Sequence, residues 1–108
     1  MRRIKVVYRP EAADDLEEIY RFVRDISRNG AVARDYVERL SARCRRIGDV
    51  PFGGTPRDDL VEGLRTVAFE RRAVIAYRVV ADQVEITNIF YGGRDFEAFY
   101  RGRQEETE

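Results

Sequence analysis

Three β-rich runs in the second half of the chain constrain its fold more than any other feature. They lie at Leu64–Phe69, Ala73–Val80 and Val84–Tyr91, and each is dense in valine, isoleucine, phenylalanine and tyrosine, which suit a pleated, half-buried surface. The breaks between them are short and polar. Antiparallel neighbours need only a few loop residues, whereas parallel neighbours need a long crossover. The sequence therefore predicts a three-stranded antiparallel meander, with the preceding residues packed on one of its faces.

The second hairpin of this meander has a testable register. A turn at Asp82-Gln83 predicts that three mostly apolar pairs share one face: Val79 with Ile86, Tyr77 with Asn88, and Ile75 with Phe90. The other face then carries the mixed pairs Arg78 with Thr87, Val80 with Glu85, and Ala76 with Ile89. Because the side-chain period of a strand is two, a slip of one residue would scramble both sets. We expect one face to be covered by helices and the other to be partly open.

A short strand and two amphipathic helices precede the meander. Arg3–Arg9 alternates and ends at Pro10, as a strand does. Apolar residues then recur at three- and four-residue steps, which predicts helices at about 11–28 and 31–48. The predicted stripes are Ala13, Leu16, Ile19, Tyr20, Val23 and Ile26, then Ala33, Tyr36, Val37, Leu40, Cys44 and Ile47. The break at Arg28–Gly30 is too short for any arrangement other than an antiparallel helical hairpin.

The remaining segments complete a single α+β domain over residues 1–102. Val50–Pro56 is a turn-rich connector. Arg94–Arg101 predicts a short C-terminal helix with Phe96, Phe99 and Tyr100 directed inward, and the charged tail at 103–108 is expected to be frayed. The predicted order is β-α-α-β-β-β-α, in which an N-terminal helical hairpin packs on an antiparallel sheet.

Composition excludes several kinds of chemistry. The chain has no histidine, which removes the commonest general base and the commonest zinc ligand. We expect no metal site and no cofactor. The 20 basic and 20 acidic residues balance, which argues against a groove that holds a phosphate backbone, although a local basic patch could still do so. We expect no direct sequence-specific binding of nucleic acid. The single cysteine, Cys44, lies on an apolar stripe, and no signal peptide or long apolar run is present, so we expect a reducing, cytoplasmic setting and no membrane contact.

Eight sequence segments, taken in order, carry a family resemblance: Ala12–Tyr20, Ala33–Leu40, Val50–Gly54, Arg57–Leu60, Gly63–Arg65, Val74–Val79, Val84–Ile86 and Gly92–Phe96. Together they resemble the ParE/RelE superfamily of toxins from bacterial type II toxin–antitoxin modules, and most closely its ParE branch, often described as plasmid-stabilisation toxins. The likeness covers about residues 4–100. The sequence departs from it at Tyr91, where many relatives carry histidine.

The resemblance to ParE implies a toxin that catalyses no reaction itself. It would bind DNA gyrase and trap the cleaved DNA complex. A ParD-like antitoxin would neutralise it in a hetero-oligomer by laying a helix across the helical hairpin, and could add a strand to a sheet edge. The alternative is a RelE-like, ribosome-dependent mRNA endoribonuclease that needs no metal. In that case Arg94 would stabilise the phosphate and Tyr100 would act as the base. Phe69 stands where such enzymes carry a cleavage arginine, which favours the gyrase interpretation.

The candidate partner-binding residues are Arg65, Arg78, Tyr91, Arg94, Phe96 and Phe99. The three arginines could line the open face of the sheet, where a planar guanidinium suits an acidic partner or a phosphate; otherwise they are surface charges paired with Glu85 or Asp95. Five of the chain's aromatic residues fall within residues 90–100. They predict either a partner surface or a terminal helix docked on the core.

Overall fold

A five-stranded sheet in the order β1-β5-β4-β3-β2 forms the centre of the fold. The computed structural model describes the backbone of residues 3–107 and the side chains of residues 3–103. Within that range the elements are β1 (Lys5–Tyr8), α1 (Pro10–Ser27), α2 (Gly30–Ile47), β2 (Thr55–Pro56), β3 (Arg65–Phe69), β4 (Ala73–Val80), β5 (Gln83–Tyr91) and α3 (Phe96–Thr107).

The predicted fold class is confirmed, including the helical hairpin and the C-terminal helix. The sheet is mixed, because β1 pairs with β5 in parallel, from Lys5 opposite Gln83 to Tyr8 opposite Ile86. A parallel pair needs a long crossover, and the chain between β1 and β5 supplies one. The connector also contributes the two-residue strand β2, which pairs with the start of β3.

The predicted register of the β4–β5 hairpin is wrong. The turn lies at Ala81-Asp82, whose φ angles are 50° and 62°, so Val79 opposes Val84 and Tyr77 opposes Ile86. A bulge between Ala76 and Tyr77 then adds one residue to β5. Positive φ at both turn positions belongs to the type I′ turn, whose twist suits a hairpin. Residues 81–82 lack the glycine or asparagine that usually marks such a turn. The predicted turn therefore differs from the observed turn by one residue.

The bulge decides which side chains face the helices. Before it, Ile86 faces them; after it, Ile89 and Tyr91 do, opposite Ile75 and Ala73. Asn88 and Phe90, predicted to lie on the helix side, instead point to the opposite face beside Ala76 and Val74. An extra residue in one strand re-aims everything that follows it.

The helical hairpin buries its apolar stripes on the sheet. Of the residues predicted to form this core, Ile19, Val23, Tyr36, Leu40, Cys44, Ile47, Ile75 and Ile86 are buried, and Leu16, Val37 and Val79 pack against them partly buried. Two residues of the predicted α1 stripe do not belong to it. Ala13 is exposed while its neighbour Ala12 is fully buried. Ile26, in the last turn of α1, is exposed.

The opposite face of the sheet, expected to be partly open, carries a second apolar cluster. Its buried members are Leu60, Leu64, Ala76, Phe90 and Tyr100. Phe96 and Phe99 of α3 pack against it partly buried, as predicted for that helix. α3 runs to Thr107 rather than ending at Arg101. Whether 103–108 is a frayed tail stays a prediction, since Glu108 lies outside the described residues.

Candidate functional site

A groove of about 430 Å³ lies between α1 and the C-terminal end of β5. We call it the α1–β5 groove. It is lined by Asp15, Glu18, Ile19, Phe22, Ile89, Tyr91, Gly92 and Arg94. Two of the predicted partner-binding residues, Tyr91 and Arg94, therefore lie in one cavity. Most of its walls are apolar, and the carboxylates of Asp15 and Glu18 and the guanidinium of Arg94 add charge. This combination suits an amphipathic protein segment.

The wall of this groove includes an unpaired part of the sheet edge. The β1 ladder ends where Tyr8 pairs with Ile86, so among the described residues no strand flanks β5 beyond that point. Asp15 takes over, because its Oδ2 accepts hydrogen bonds from the Ile89 amide at 2.8 Å and from Asn88 Nδ2 at 3.4 Å. Alternation along the ladder points the Tyr91 amide to the same edge. The edge is thus available for hydrogen bonds just past Asp15.

Asp15 is held in a partly desolvated position. Burial raises the pKa of its carboxyl above the ordinary value, although the hydrogen bonds from Ile89 and Asn88 and the charge of Arg94 act in the opposite direction. Desolvation therefore outweighs the favourable contacts. The ionised carboxylate fastens α1 to β5 at some cost in stability.

The hairpin side of the groove exposes large apolar side chains. Phe22 is 50% exposed and packs edge-to-face on Tyr91, with ring centroids 5.6 Å apart. Ile26 follows one turn later at 60% exposure, and Val32 at the start of α2 is 47% exposed. Single exposed apolar residues are ordinary, but Phe22 lines the groove itself and Ile26 lies one turn further along α1. Successive exposed apolar residues of this kind are typical of an interaction surface.

A second cavity, of about 340 Å³, lies on the opposite face of the sheet. We call it the sheet-face pocket. It is lined by Arg9, Glu11, Val61, Leu64, Arg78, Glu85, Thr87, Asn88, Tyr100 and Arg103. Arg78 stands opposite Glu85 across the β4–β5 ladder, but the Glu85 carboxylate accepts instead from Arg9 Nη1 at 3.0 Å. The buried Arg78 Nε has no hydrogen-bond partner among the described residues.

The two residues of the alternative nuclease site line different cavities. Tyr100 is 5% exposed, and its hydroxyl donates to Asn88 Oδ1 at 3.0 Å and lies 3.4 Å from Thr87 Oγ1. Burial raises the pKa of the Tyr100 phenol. Arg94 lines the α1–β5 groove and stacks over the Phe90 ring, with its guanidinium carbon 5.6 Å from the ring centroid.

The remaining predicted residues do not share one surface. Arg65 lies opposite Tyr77, on the helix side of the sheet, and not with Arg78. Its Nη1 donates to the carbonyls of Phe52 and Gly54, both at 2.8 Å. Phe96 and Phe99 are partly buried and pack on Phe90. These three residues thus serve structural contacts, and a partner could reach only their exposed parts.

The role of Tyr77 could not be predicted from the sequence. This fully buried residue donates from its hydroxyl to the Pro51 carbonyl and accepts from the Gly54 amide, both at 2.9 Å. A Cβ at position 54 would stand 2.5 Å from that hydroxyl, so glycine is needed for the close approach. Tyr77 and Arg65 together fix the connector to the sheet. Tyr77 had only the signature of a core aromatic.

Cys44 is a structural residue. It is fully buried, and burial raises the pKa of its thiol to about 11. A reactive cysteine needs a lowered pKa. Among the side chains of residues 3–103 there is no group of three or more acidic or cysteine side chains that could hold a metal ion. No helix in that range is long and apolar enough to span a membrane.

The comparisons with known proteins identify the family. The model of a family described as "ParE toxin of type II toxin-antitoxin system, parDE" matches residues 6–96. The chain belongs to the ParE toxin family. A solved chain described as "Chromosomal ParDE TA system from P. aeruginosa" has a similar fold, with 23% sequence identity and a TM-score of 0.72 over 82% of this chain and 96% of that chain. No curated protein matches the chain.

Proposed function

We propose that this ParE-family toxin inhibits DNA gyrase by binding it, and that a ParD-like antitoxin neutralises the toxin in a cytoplasmic hetero-oligomer. The observation that carries the choice of a binding mechanism over RNA cleavage is the position of Tyr100. Its hydroxyl is buried and hydrogen-bonded to Asn88. A general base must reach the proton that it removes and needs a pKa near the working pH. The hydrogen bond to Asn88 and the pKa of the Tyr100 phenol, which burial raises further from that range, both argue against this role.

The arginine of the nuclease alternative, Arg94, does not share a cavity with its proposed base. Cleavage of RNA without a metal requires positive groups close to the base, where they can stabilise the phosphate in the transition state. Arg94 lines the α1–β5 groove, whereas Tyr100 lines the sheet-face pocket together with Arg9, Arg78 and Arg103. Phe69, at the position where RelE-like enzymes carry an arginine, is buried against Tyr36 with ring centroids 5.7 Å apart. These placements favour a toxin that works by occupying a surface of its target.

The α1–β5 groove supports the antitoxin part of the proposal. Phe22 and Ile26 lie one turn apart on α1 and are both exposed. An amphipathic partner helix packs against apolar side chains at this spacing. The open edge of β5 beyond Asp15 adds hydrogen-bonding groups next to them. A partner that lays a helix on the hairpin could therefore extend onto the sheet edge.

A gyrase assay with one hydroxyl-deletion variant tests the mechanism. We expect the purified chain to inhibit supercoiling by gyrase. The inhibitory potency of Tyr100→Phe should lie within about threefold of that of the wild type, because the ring stays packed and the loss of one hydrogen bond is modest. Tyr8→Phe is the matched control, since it removes a hydroxyl on the helix side of the sheet.

The same proteins are then incubated with ribosomes and mRNA. Cleavage by the wild type that disappears in Tyr100→Phe but persists in Tyr8→Phe would replace the gyrase proposal with the nuclease alternative. Absence of both supercoiling inhibition and mRNA cleavage would contradict both mechanisms.

A further inference from the structure

A small pocket of about 150 Å³ lies where the β3–β4 turn meets the turn between β5 and α3. We call it the turn pocket. The Gly92 amide donates to the Arg72 carbonyl at 2.9 Å, so the two turns are joined through their backbones. Pockets for drug-sized molecules measure at least about 300 Å³, so only a small group can enter this one. It is lined by Ala68, Arg71, Arg72, Ala73, Val74, Phe90, Gly93 and Arg94.

The turn pocket is lined by three arginines and by no acidic residue. The α1–β5 groove and the sheet-face pocket differ from it, because each of them contains two carboxylates. Within the described part of the chain, Arg71, Arg72 and Arg94 take part in none of the ion pairs. Since the chain as a whole has no net charge, the pocket is a local concentration of positive charge.

The acidic residues next to these arginines in the sequence are engaged elsewhere. Glu70 precedes Arg71, but both of its carboxylate oxygens accept from Arg39 of α2, at 2.9 and 3.0 Å. Asp95 follows the pocket arginine of the second turn, and its Oδ1 accepts from the Ala98 amide at 3.0 Å, at the start of α3. Neither carboxylate lines the pocket.

The charge that remains in the turn pocket favours a phosphate group. Arg94 also lines the α1–β5 groove, where its charge acts on Asp15, so Asp15 can offset it. The charges of Arg71 and Arg72 are then left without a counterpart. A phosphate monoester carries a charge of about −1.5 to −2 at pH 7 and offers three acceptor oxygens. A carboxylate has one charge and two oxygens, and would leave one of the two arginines unmatched.

The two turns hold donors in place for such a group. The Arg94 guanidinium carbon lies 5.6 Å from the centroid of the Phe90 ring, which is itself packed against Phe96 and Phe99. Gly93 has a φ angle of 80°, and a Cβ added there would meet no atom within 4 Å. A ligand can therefore approach the Gly93 backbone, whose amide donates to no backbone carbonyl in the described range. Arginine forks and free amides are the donors that phosphate groups use in proteins.

We infer that the turn pocket is a binding site for a dianionic phosphate group, held by Arg71, Arg72 and Arg94. The group can be the terminal phosphate of a nucleic-acid strand or part of a small phosphate ligand. The inference includes no cleavage, because the proposed base of the nuclease alternative, Tyr100, lines the sheet-face pocket instead. It does not depend on gyrase as the target, since it concerns the isolated toxin.

Backbone amide resonances of the two turns report on the pocket. The ¹⁵N-labelled chain is made by cell-free synthesis and titrated with sodium phosphate, sodium acetate or sodium chloride at neutral pH and equal ionic strength. We expect saturable shifts at Arg71, Arg72, Gly93 and Arg94 with phosphate, saturation by acetate only at higher concentration, and no saturable shift with chloride. No saturable shift with phosphate, or saturation by acetate at a lower concentration, would overturn the inference.

Two fluorescent DNA strands of the same sequence separate the two sources of the phosphate. One strand ends in a phosphate and the other in a hydroxyl, and fluorescence anisotropy measures their binding. Tighter binding of the phosphorylated strand assigns the site to a nucleic-acid end, whereas binding of inorganic phosphate but of neither strand assigns it to a small ligand. Equal binding of the two strands would overturn the inference, because the backbone phosphodiesters would then be the ligand.

Two double variants test whether the pocket arginines hold the phosphate. Arg71→Gln combined with Arg72→Gln should weaken phosphate binding at least about tenfold, because two charge-assisted contacts are lost, while far-ultraviolet circular dichroism confirms the fold. Arg34→Gln combined with Arg45→Gln is the matched control, since it removes the same charge from two exposed positions on α2, and it should bind like the wild type.

Two results of this comparison would overturn the inference. Equal weakening by the two double variants would mean that phosphate binding follows the net charge of the chain rather than the pocket. Unchanged binding in a folded Arg71/Arg72 variant would mean that the phosphate is held elsewhere.

Discussion

The polar groups of two side chains, Tyr77 and Asp15, hold neighbouring backbone segments in place. The Tyr77 hydroxyl satisfies one carbonyl and one amide of the connector from within the core. The Asp15 carboxylate satisfies an amide at the unpaired edge of β5. In both cases a side chain completes backbone hydrogen bonding where the regular ladder stops. Buried backbone groups need such partners, so each residue fixes a segment that packing alone would leave free to shift.

Asp15→Asn should stabilise the protein at neutral pH. The pKa of Asp15 is raised by burial, so the folded state binds its proton more tightly than the unfolded chain does. Its favourable contribution is complete below the ordinary pKa of 3.8 and is lost as the pH rises through the folded-state pKa. Asparagine keeps an acceptor oxygen for the Ile89 amide without the charge. We expect a gain of up to about 1 kcal/mol at pH 7.

That gain should shrink as the pH falls toward 3.8, because wild-type Asp15 then becomes neutral too. Urea unfolding of both proteins between neutral and acidic pH measures it. Asp14→Asn, at the exposed neighbouring position, is the control and should show a smaller difference at neutral pH. Destabilisation by Asp15→Asn at pH 7 would mean that the ionised contact outweighs its desolvation.

At the scale of elements, the β4–β5 turn offers a test of the observed register. Ala81 and Asp82 both have positive φ, which costs non-glycine residues about 1 kcal/mol each. Replacing them with Asn-Gly, the preferred type I′ pair, should stabilise the fold by about 0.5–2 kcal/mol in chemical denaturation. The same Asn-Gly pair placed at 82–83 is the control. That pair would replace Gln83, which belongs to β5 and pairs with Lys5, so the control should destabilise the fold. A control that is more stable than the variant at 81–82 would contradict the observed register.

The core between the hairpin and the sheet should be sensitive to truncation. Leu40 of α2 and Ile75 of β4 are both fully buried in the same cluster. Each change to alanine should therefore cost about 2–5 kcal/mol in the free energy of unfolding. Val32→Ala, on the exposed side of α2, should cost under about 0.5 kcal/mol. A cost at Leu40 or Ile75 no larger than that of Val32 would contradict the two-layer packing.

The sequence predicted elements better than it predicted contacts. Periodicity located the helical hairpin and the three long strands, because burial of one face imposes a repeat that can be counted. It could not locate the β5 bulge, which depends on how two strands meet and has no residue signature here. The bulge moved Asn88 and Phe90 across the sheet, and Asn88 is what holds the Tyr100 hydroxyl. The site therefore depended on the least predictable feature of the fold.

At the scale of the whole molecule, the sheet separates two different surfaces. The helix side carries the α1–β5 groove, with exposed apolar residues beside an open strand edge. The other side carries the sheet-face pocket, which is polar and rich in arginine. Since the two do not overlap, one partner can cover the first while another molecule reaches the second.

The surface proposed for the antitoxin can be tested by charge insertion. Phe22→Glu combined with Ile26→Glu changes two side chains that are 50% and 60% exposed, so the fold should survive. If a ParD-like antitoxin lays an apolar helix across them, two buried carboxylates should weaken binding at least about a hundredfold, as loss of a hot-spot pair does. Co-purification and calorimetry with the antitoxin measure this, and growth assays should show that the antitoxin no longer rescues cells.

Val80→Glu is the matched control for that experiment. Val80 is also an exposed apolar residue, at 39%, but it lies at the β4–β5 turn, at the opposite end of β5 from the groove. We expect the antitoxin to bind Val80→Glu as tightly as it binds the wild type and to rescue cells that express this variant. The wild type should itself be toxic when expressed alone and should form a tight complex with its antitoxin. If the Phe22/Ile26 variant binds as tightly as Val80→Glu, the antitoxin uses a different face. A wild-type chain that is harmless and has no affinity for the antitoxin would contradict the proposed partnership itself, because the groove would then have no occupant of that kind.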